Sequence, residues 1–261
     1  METAADVRYR GPMDFSGRKG TALVAGGTGA IGAAVVRTLA RYGSDVAFTY
    51  RSSEGAAREL ERECGARALQ AELGDEEAAA RAVRETAADG GLHTLVYAAG
   101  PHVPMRHLST VPPARFREQL DADAMAFYNL VHPALPALRE RAGSVVAVTT
   151  AATQRFPVRD GLSSGAKGAV EAVARALAAE EGRYGVRVNC VGPGMLTDGM
   201  AARLMADGEL DDAALAITRR NIPLRRFGTA QDIAEAVAFL ASDLAGFVTG
   251  QHLAVDGGYT V

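Results

Sequence analysis

Short apolar runs alternate with longer segments of helical pattern along almost the whole sequence. The apolar runs are rich in β-branched residues and lack polar alternation, which is typical of strands that are buried on both faces. They occupy residues 21–26, 45–50, 66–71, 93–100, 144–150, 187–192 and 252–258. Helix-length segments separate them at residues 30–42, 53–64, 75–89, 113–141, 160–183 and 230–242. This alternation predicts right-handed βαβ crossovers, and hence an α/β fold with a doubly wound parallel sheet and helices on both faces.

The length and the charge balance limit the kind of protein. The chain has 261 residues and a net charge of −3, so we expect one domain over residues 19–261, after an N-terminal tail at 1–18. No basic tract is present, which argues against nucleic acid or an acidic membrane as the main partner. No apolar run reaches the roughly 18 residues that a membrane helix needs. Cys64 and Cys190 form neither a disulfide framework nor a metal-binding spacing, so we expect a cytoplasmic protein without a metal site.

A glycine-rich loop joins the first predicted strand to the first predicted helix, at residues 26–32. Glycine permits a tight turn here and lets backbone N–H groups approach a pyrophosphate at the helix N-terminus. A plain turn also needs glycine, but the strand before the loop and the helix after it favour a nucleotide site. The predicted phosphate contacts are Gly26, Thr28, Gly29, Ala30, Ile31 and Gly32.

The end of the second predicted strand indicates which dinucleotide binds. A site for NAD(H) usually places an acidic residue about 20 residues after the glycine loop, where it binds the ribose 2′-hydroxyl. This chain has Arg51 and Ser52 there, and its first acid is Glu54. Arg51 and Ser52 suit a 2′-phosphate, so NADP(H) is predicted in preference to NAD(H). The alternative interpretation is that Arg51 is a solvated surface charge.

Several blocks of sequence lie in an order and at spacings that are specific when taken together. They are VAGGTGAIG at 24–32, LVYAAG at 95–100, SVVAVTT at 144–150, SSGAKGAVEAVARALA at 163–178, VRVNCVGPG at 186–194 and GQHLAVDGGY at 250–259. With these blocks the chain resembles the short-chain dehydrogenase/reductase family, from about Arg18 to Val261. The resemblance implies a single-domain Rossmann fold, a nicotinamide cofactor, and assembly as a homotetramer or homodimer.

The resemblance also implies the rest of the cofactor site. Glu72 takes the place of the family's acid that contacts adenine, and Leu73 lies beside it. The end of the fourth strand and the loop after the sixth strand correspond to the parts that hold the nicotinamide half. The implied contacts there are Ala99, Gly100, Lys167, Pro193, Gly194, Leu196 and Thr197.

The family's catalytic set is Asn, Ser, Tyr and Lys, and only the lysine is unchanged in this chain. The resemblance aligns Asp123 with the Asn, Thr150 with the Ser, Ser163 with the Tyr and Lys167 with the Lys. Thr150 keeps the hydroxyl that orients a carbonyl. Ser163 does not simply replace the phenol, because an alkyl hydroxyl is far less acidic than tyrosine, whose pKa is about 10. Losing a general acid typically lowers the rate by about 10²- to 10⁴-fold.

Lys167 is notable because arginine is used at nearly every other cationic position. Only Lys19 and Lys167 are lysines, against 26 arginines. A compact ammonium is what ribose binding or a proton relay requires. We hypothesise that an Asp123–Lys167 pair rebuilds the proton relay lost with the Tyr; the alternative is that Asp123 lies on a helix surface. Enoyl-reductase relatives place Tyr seven residues before Lys, where this chain has Asp160, so the chain fits neither pattern.

Four residues are candidates for contact with a substrate. Tyr97, at the end of the fourth strand, either points into the crevice or packs under the rim of the sheet. His102 follows in a loop at the carboxyl end of that strand, where ligands bind in such sheets; the alternative is a surface-loop histidine. Met195 and Met200 belong to a predicted lid at about 195–220.

The leading interpretation is an NADP(H)-dependent oxidoreductase that acts on a carbonyl or enoyl group. The apolar lid favours an apolar or acyl substrate, including a carrier-bound one, in fatty-acid, polyketide or secondary metabolism. An enoyl reduction takes its α-proton from water and therefore needs the missing Tyr less. The alternative is a non-redox catalyst on the same scaffold (a dehydratase, isomerase or cyclase) or a cofactor-binding partner subunit that stabilises an active homologue. The altered positions Tyr97, Asp123, Thr150 and Ser163 favour that alternative.

Overall fold

The helices and strands follow the predicted alternation in the computed structural model, which describes residues 13–198 and 212–261. The strands are β1 Thr21–Ala25, β2 Asp45–Tyr50, β3 Arg67–Gln70, β4 Leu92–Tyr97, β5 Ser144–Val148, β6 Arg187–Pro193 and β7 His252–Val255. The helices are α1 Ala30–Arg41, α2 Glu54–Cys64, α3 Glu76–Ala87, α4 Pro113–Leu120, α5 Ala126–Glu140, α6 Gly161–Glu181, α7 Asp212–Asn221 and α8 Ala230–Ala241. Within the described ranges, no helix is long and apolar enough to cross a bilayer.

The seven strands form one parallel sheet in the order β3-β2-β1-β4-β5-β6-β7. The chain builds outwards from β1 to β3 and then returns to the other side of β1 with β4. Ligands bind at such a reversal in open α/β sheets, outside the carboxyl ends of the strands. The predicted doubly wound α/β fold is confirmed, and its crevice lies between the loops that follow β1 and β4.

Each face of the sheet is covered by its own hydrophobic core. On one face, Phe127 of α5 and Val170 of α6 pack with side chains of α3 and the strands. On the other face, Val36 of α1 and Ile233 of α8 pack with Leu60 of α2. All five side chains are at most 2% exposed. Burial on both faces explains why the strands lack polar alternation.

The predicted helix over 113–141 is interrupted. A π-helical segment, Asp121–Met125, separates α4 from α5. A π turn accommodates an extra residue in the helix and is frequent at functional sites. Asp123 lies within this segment and is only 1% exposed, so the alternative that it lies on the helix surface is wrong.

The predicted strand ends differ from the observed ones at the crevice. The run at 93–100 was expected to be a strand throughout, but β4 ends at Tyr97. The run at 144–150 was also expected to be a strand throughout, but β5 ends at Val148. The last residues of both runs belong instead to loops at the carboxyl edge of the sheet, where the backbone leaves the strand to border the crevice. Apolar composition alone does not reveal this change of direction.

The predicted N-terminal tail at 1–18 is too long. Residues 1–12 lie outside the described part of the chain, but residues 13–18 are packed on the domain. Phe15 is 1% exposed, and its N–H donates to the Tyr42 carbonyl at 2.8 Å. The Arg18 guanidinium lies over the Phe15 ring and donates to the Ala241 carbonyl at 2.9 Å. The sequence pattern did not predict this packing, because Phe15 is an isolated apolar residue in a polar segment.

A neutral histidine is buried at the amino end of the sheet, opposite the crevice. His93 is 3% exposed, and its two ring nitrogens lie 3.3 Å from Ser44 Oγ and 2.9 Å from Thr94 Oγ1. Its ring stacks on Phe15 with 6.2 Å between centroids. Burial lowers the pKa of His93 to about 4, and the positive charge of Arg18 acts in the same direction.

We expect His93 to make the fold sensitive to acid. Because its pKa is about 4 in the folded protein and about 6.5 in an unfolded chain, the unfolded state binds the proton first as the pH falls. Stability should therefore decrease between pH 6.5 and 4, by about 3 kcal/mol from this group. Urea unfolding at several pH values should show a weaker loss in His93→Gln than in the wild type. His102→Gln, at an exposed position, is the control, and parallel curves for wild type and His93→Gln would contradict the prediction.

Candidate active site

The glycine loop between β1 and α1 is packed so closely that side chains do not fit at three of its positions. A Cβ at Gly26 would lie 2.8 Å from Ala99 Cα, and the φ of Gly26 is +76°. At Gly27 a Cβ would lie 2.4 Å from the Phe48 ring, and at Gly32 it would lie 2.1 Å from the Gly26 carbonyl oxygen. These glycines therefore bring α1 against the end of β1, and they do more than form a turn.

The first turn of α1 is open to an anion. The helix begins at Ala30, and the preceding Gly29 has no side chain with which to cap it. The N–H groups of Ala30, Ile31 and Gly32 have no intrahelical acceptor, because the first N–H groups of any helix lack one. These groups and the positive end of the helix dipole suit a pyrophosphate. Thr28 is half-buried beside them and Gly29 is exposed.

Thr49 holds the glycine loop in place, a role that the sequence analysis missed. Its Oγ1 accepts a hydrogen bond from the Gly26 N–H at 3.1 Å, and its carbonyl accepts one from the Gly27 N–H at 2.9 Å. The sequence feature that could have predicted this role is a threonine near the end of a buried strand that follows a glycine loop. The contact fixes the loop relative to β2, which ends at the predicted 2′-phosphate site.

Arg51 and Ser52 lie at the carboxyl end of β2, and both are exposed. Arg51 Nη1 lies 3.8 Å from Glu72 Oε2, and both side chains are more than half exposed. Such a surface pair contributes at most about 1 kcal/mol, so a phosphate can readily displace the carboxylate. Leu73 is only 7% exposed, and its carbonyl accepts a hydrogen bond from Asn129 Nδ2 at 3.1 Å. This contact braces the loop after β3 against α5.

The Lys167 ammonium uses all three of its N–H donors on protein acceptors. It donates to Asp123 Oδ1 at 2.9 Å, to the Val148 carbonyl at 3.2 Å and to the Ala99 carbonyl at 3.3 Å. These acceptors belong to the π-helical segment, the end of β5 and the loop after β4. Lys167 therefore connects three elements at the carboxyl edge of the sheet, and a ribose hydroxyl would have to replace one of these acceptors.

Tyr97 lies beneath this ion pair and not in the crevice. Its ring is fully buried, and its hydroxyl donates to the Asp123 carbonyl at 2.9 Å. Burial raises the pKa of Tyr97 well above its ordinary value, and the Asp123 charge adds to the effect. The Lys167 ammonium lies 5.3 Å from the centre of the ring. The prediction that Tyr97 contacts the substrate is therefore wrong, and the packed alternative is correct.

The two hydroxyl candidates differ in their surroundings. Thr150 follows β5, and its Oγ1 accepts a hydrogen bond from the Ala152 N–H at 3.1 Å. This leaves the hydroxyl proton of Thr150 available to a ligand. Ser163 lies in the first turn of α6, half-buried. Lys167 lies one turn further along the same helix face, because residues four apart are neighbours.

A polar network fixes the turn that carries Thr150. Thr153 Oγ1 donates to Glu171 Oε1 at 2.8 Å, and His252 Nε2 lies 3.2 Å from the same oxygen. His252 Nδ1 lies 2.6 Å from Gln154 Nε2. Burial by itself raises the pKa of Glu171, but His252 and Thr153 outweigh it and lower that pKa. The sequence analysis did not find this network, because its members come from three distant segments.

The loop after β6 contains several of the cofactor contacts that the resemblance implies. Gly194 N–H donates to the Val255 carbonyl at 3.1 Å, and a Cβ at Gly194 would lie 2.7 Å from Asp256. Leu196 is 8% exposed and packs in the core, while the Thr197 N–H donates to the Gly228 carbonyl at 2.9 Å.

The remaining predicted contacts lie in the segments that follow β4 and β6. Pro193 ends β6, Met195 is half-buried, and Ala99 and Gly100 follow β4. His102 is exposed in the next loop. Met200 and residues 199–211 of the predicted lid lie outside the described residues, and the lid continues as α7. Among the residues that are described, no group of three or more His, Cys, Asp or Glu side chains is placed to hold a metal ion.

Comparison with known proteins extends the likeness over almost the whole chain. Residues 25–260 match the family model described as Enoyl-(Acyl carrier protein) reductase. L-fucose dehydrogenase of Mus musculus is 33% identical over 257 residues, which cover 98% of this chain and 90% of that protein. Acetoacetyl-CoA reductase of Paracoccus denitrificans is 31% identical over 241 residues, which cover 91% of this chain and 97% of that protein.

A solved structure shows the same likeness in three dimensions. It is the crystal structure of a blue fluorescent protein from a metagenomic library in complex with NADPH. It superposes with a TM-score of 0.85 at 30% identity, and the match covers 95% of this chain and 100% of that chain.

The buried ion pair should make Lys167 important for stability. Lys167→Met leaves the Asp123 carboxyl, 2% exposed, without its cation, and we expect a loss of about 3–5 kcal/mol in the free energy of unfolding. Lys167→Met/Asp123→Asn removes both charges and should recover at least half of that loss. Urea unfolding measures both. Lys19 is the other lysine of the chain and is exposed, so Lys19→Met is the control and should change the free energy of unfolding by less than about 0.5 kcal/mol. If Lys167→Met and the double variant are equally stable, the prediction is wrong.

Proposed function

We propose that this chain, which belongs to the short-chain dehydrogenase/reductase family, is an NADP(H)-dependent oxidoreductase that acts on a carbonyl or enoyl group. The observation that carries the cofactor proposal is the glycine loop, where no Cβ fits at Gly26, Gly27 or Gly32 and the first turn of α1 is uncapped. The matched relatives are named as a dehydrogenase and a reductase, and a similar structure holds NADPH. These names support a redox reaction in this chain.

The residues at the crevice fit a nicotinamide dinucleotide. The N–H groups of α1 would hold the pyrophosphate, and Arg51 with Ser52 would hold the 2′-phosphate of NADP(H). Arg51 has an acidic neighbour, Glu72, but the pair is exposed and weak, so a doubly charged phosphate outcompetes it. Gly100 and Lys167 border the part of the crevice that would take the nicotinamide ribose. When bound, the reduced cofactor supplies a hydride.

The hydroxyl of Thr150 would orient the substrate. Because its oxygen already accepts the Ala152 N–H, its proton points to another acceptor, and a substrate carbonyl oxygen is the acceptor that this reaction provides. The network of Thr153, Glu171 and His252 keeps the turn in this arrangement. Thr150 thus performs the orienting part of the family's chemistry without supplying a proton.

An apolar or acyl substrate fits the loops at the mouth of the crevice. Leu108, Phe156 and Val158 are between 49% and 72% exposed. They belong to two loops that are joined to each other, since the Arg106 N–H donates to the Arg159 carbonyl at 2.9 Å. Acetoacetyl-CoA reductase, by its name, acts on an acyl thioester, and we propose the same chemical class here, whether free or carrier-bound.

The second candidate function is a non-redox catalyst or a partner subunit. Two observations favour it: Ser163 stands where the family has its Tyr, and the three donors of Lys167 are already engaged. A partner subunit would bind the cofactor without turning over a substrate. Binding and turnover measured on the same sample therefore separate the two functions.

We also propose a cytoplasmic homotetramer or homodimer. Two apolar side chains near the C-terminal strand are exposed: Leu244 is 54% exposed, and Phe247 is completely exposed. Apolar side chains of this size are commonly covered in an oligomer. The family resemblance also implies interfaces through residues 113–141 and 160–183, which contain α4, α5 and α6.

Calorimetry at matched salt should show that NADPH binds more tightly than NADH. Arg51→Gln should weaken NADPH binding by about 10- to 100-fold and leave NADH binding unchanged, because a hydrogen-bonded charge pair with the 2′-phosphate is lost. Arg58→Gln is the matched control, since Arg58 is also exposed but lies on α2. If the wild type binds NADPH and NADH equally well, the proposed preference for NADP(H) is wrong. If it binds neither cofactor, the proposal of an oxidoreductase is wrong.

The Asp123–Lys167 pair is the proposed proton relay, and Asp123→Asn tests it. We expect NADPH oxidation with a panel of ketones and enones to fall at least about 100-fold, because the amide does not take up the ammonium proton. Asp121→Asn, exposed two residues earlier, is the control and should keep wild-type rates. Wild-type turnover in Asp123→Asn would eliminate the relay and leave the pair a structural role.

A further inference from the structure

Tyr97 contacts both members of the buried ion pair, and the proposed function gives this side chain no task. Its hydroxyl lies 2.9 Å from the Asp123 carbonyl oxygen and 3.4 Å from Asp123 Oδ1. The Lys167 ammonium lies 5.3 Å from the centre of its ring, a distance at which a cation is attracted to an aromatic face. The hydroxyl therefore contacts the anion of the pair, and the ring contacts the cation.

The side chain of Tyr97 is anchored in the middle of the sheet. Tyr97 is the last residue of β4, and its backbone is paired with Ala25 of β1 on one side and Ala147 of β5 on the other. Its fully buried ring meets the edge of the Phe127 ring, with 5.2 Å between the centroids. Phe127 lies in the first turn of α5, directly after the π-helical segment. The phenol hydroxyl therefore reaches the π-helical segment from a rigid base.

The hydroxyl binds the centre of the π-helical segment. The Ala126 N–H is directed at the Asp121 carbonyl, five residues earlier, which is the hydrogen bond of a π turn. It is also directed at the Asp123 carbonyl, and the Tyr97 hydroxyl donates to that carbonyl from outside the helix. Because π turns are rare within α-helices, a donor that binds this one from the sheet favours it over a regular helix.

The π turn sets the direction of the Asp123 side chain. One extra residue rotates the chain before it by about 100° relative to α5, because an α-helix has about 3.6 residues per turn. With the π turn in place, Asp123 Oδ1 accepts a hydrogen bond from the Lys167 ammonium at 2.9 Å. Asp123 is 1% exposed, and a buried carboxylate is tolerated only where donors and a cation reach it. The direction set by the π turn therefore decides whether the ion pair forms.

Tyr97 supplies a hydrogen bond here and not a proton. Burial raises the pKa of Tyr97 well above its ordinary value, and both the charge of Asp123 and the hydrogen bond to it act in the same direction. The phenol therefore stays protonated in the neutral range and keeps donating to Asp123. Its proton lies between the sheet and the π turn, away from the crevice.

We propose that Tyr97 is a positioning residue of the Asp123–Lys167 relay, an inference that rests on the proposed function. Its hydroxyl holds the π turn, and the π turn holds the Asp123 carboxylate against the Lys167 ammonium. Loss of the hydroxyl leaves both charges in the protein but releases the carboxylate to other orientations. Tyr97 acts on the reaction only through Asp123.

The first arm of the test observes Lys167 directly and needs neither cofactor nor substrate. The chain has two lysines, Lys19 and Lys167, so protein labelled with ¹⁵N at lysine Nζ gives two ammonium signals in NMR, and Lys19→Met leaves that of Lys167. Its hydrogens should exchange slowly with water, because the ammonium is largely buried and donates three hydrogen bonds. Tyr97→Phe keeps the ring and removes the hydroxyl, and it should accelerate this exchange by about 5- to 10-fold, because one buried hydrogen bond is lost.

Two controls separate positioning from a general loss of stability. Tyr42→Phe also removes a phenol hydroxyl that donates to a carboxylate, that of Glu235 at 2.7 Å, on the other face of the sheet. Val131→Ala removes two methyl groups from α5 in the same buried core as Tyr97 and leaves the phenol hydroxyl in place. Both should exchange Lys167 hydrogens at close to the wild-type rate. An unchanged rate in Tyr97→Phe, or an equal acceleration in Val131→Ala, refutes the proposal.

The second arm uses NADPH oxidation with the best substrate of the ketone and enone panel. Tyr97→Phe should lower kcat by about 10- to 100-fold and leave KM and NADPH affinity unchanged, because a small displacement of a reacting group is costly. In the Asp123→Asn background the same substitution should have no further effect on kcat, because its action passes through the carboxylate. An equal effect in both backgrounds refutes the proposal.

The outcomes separate this proposal from the proposed function. A wild-type protein that binds no NADPH refutes the proposed function. A wild type that binds NADPH and turns over, together with a Tyr97→Phe variant that keeps its kcat, refutes the positioning role alone. If NADPH binds and no panel compound reacts, the exchange of the Lys167 ammonium decides: acceleration in Tyr97→Phe alone supports the proposal, and an unchanged rate refutes it.

Discussion

The rest of the site depends on the contacts of one ammonium group. Lys167 reaches from α6 to the ends of two neighbouring strands and to Asp123 in the π-helical segment. Parallel strands expose unpaired carbonyl groups at their carboxyl ends, and a cation placed among them satisfies several at once. Because Asp123 is buried, its charge is tolerable only with this cation beside it. The ion pair therefore sets the distance between α6, the π turn and the floor of the crevice.

Two separate sets of contacts fix the elements around the end of β5. In the first set, Lys167 is paired with the buried Asp123, and Tyr97 packs beneath the pair. In the second set, the turn that carries Thr150 is held from α6 and β7. Both sets of contacts meet at the end of β5, where Lys167 donates to the Val148 carbonyl and Thr150 begins the next turn.

Much of the fold follows from the sequence, and the orientation of individual side chains does not. The seven apolar runs predicted the strands, because a parallel sheet buries both faces. The same property hid the direction of the Tyr97 side chain. In a strand that is buried on both faces, the periodicity of the sequence does not distinguish the two faces. Lys167 was predicted to be a functional residue because nearly every other cationic position in the chain is an arginine. The burial of Asp123 depends on a π turn, for which the helical pattern of 113–141 gave no signal. Thr49 was missed because its role comes from a neighbouring strand.

His252 connects the last strand of the sheet to a turn that lies far earlier in the chain. It lies on the edge strand β7 and contacts Gln154, a residue 98 positions earlier in the chain. Gly192 leaves space for the imidazole, since a Cβ there would lie 2.3 Å from the ring. On a ribosome, β5, α6 and β6 all emerge before this histidine has been synthesised. Six of the seven strands are therefore synthesised before the turn after Thr150 can make its contact with β7.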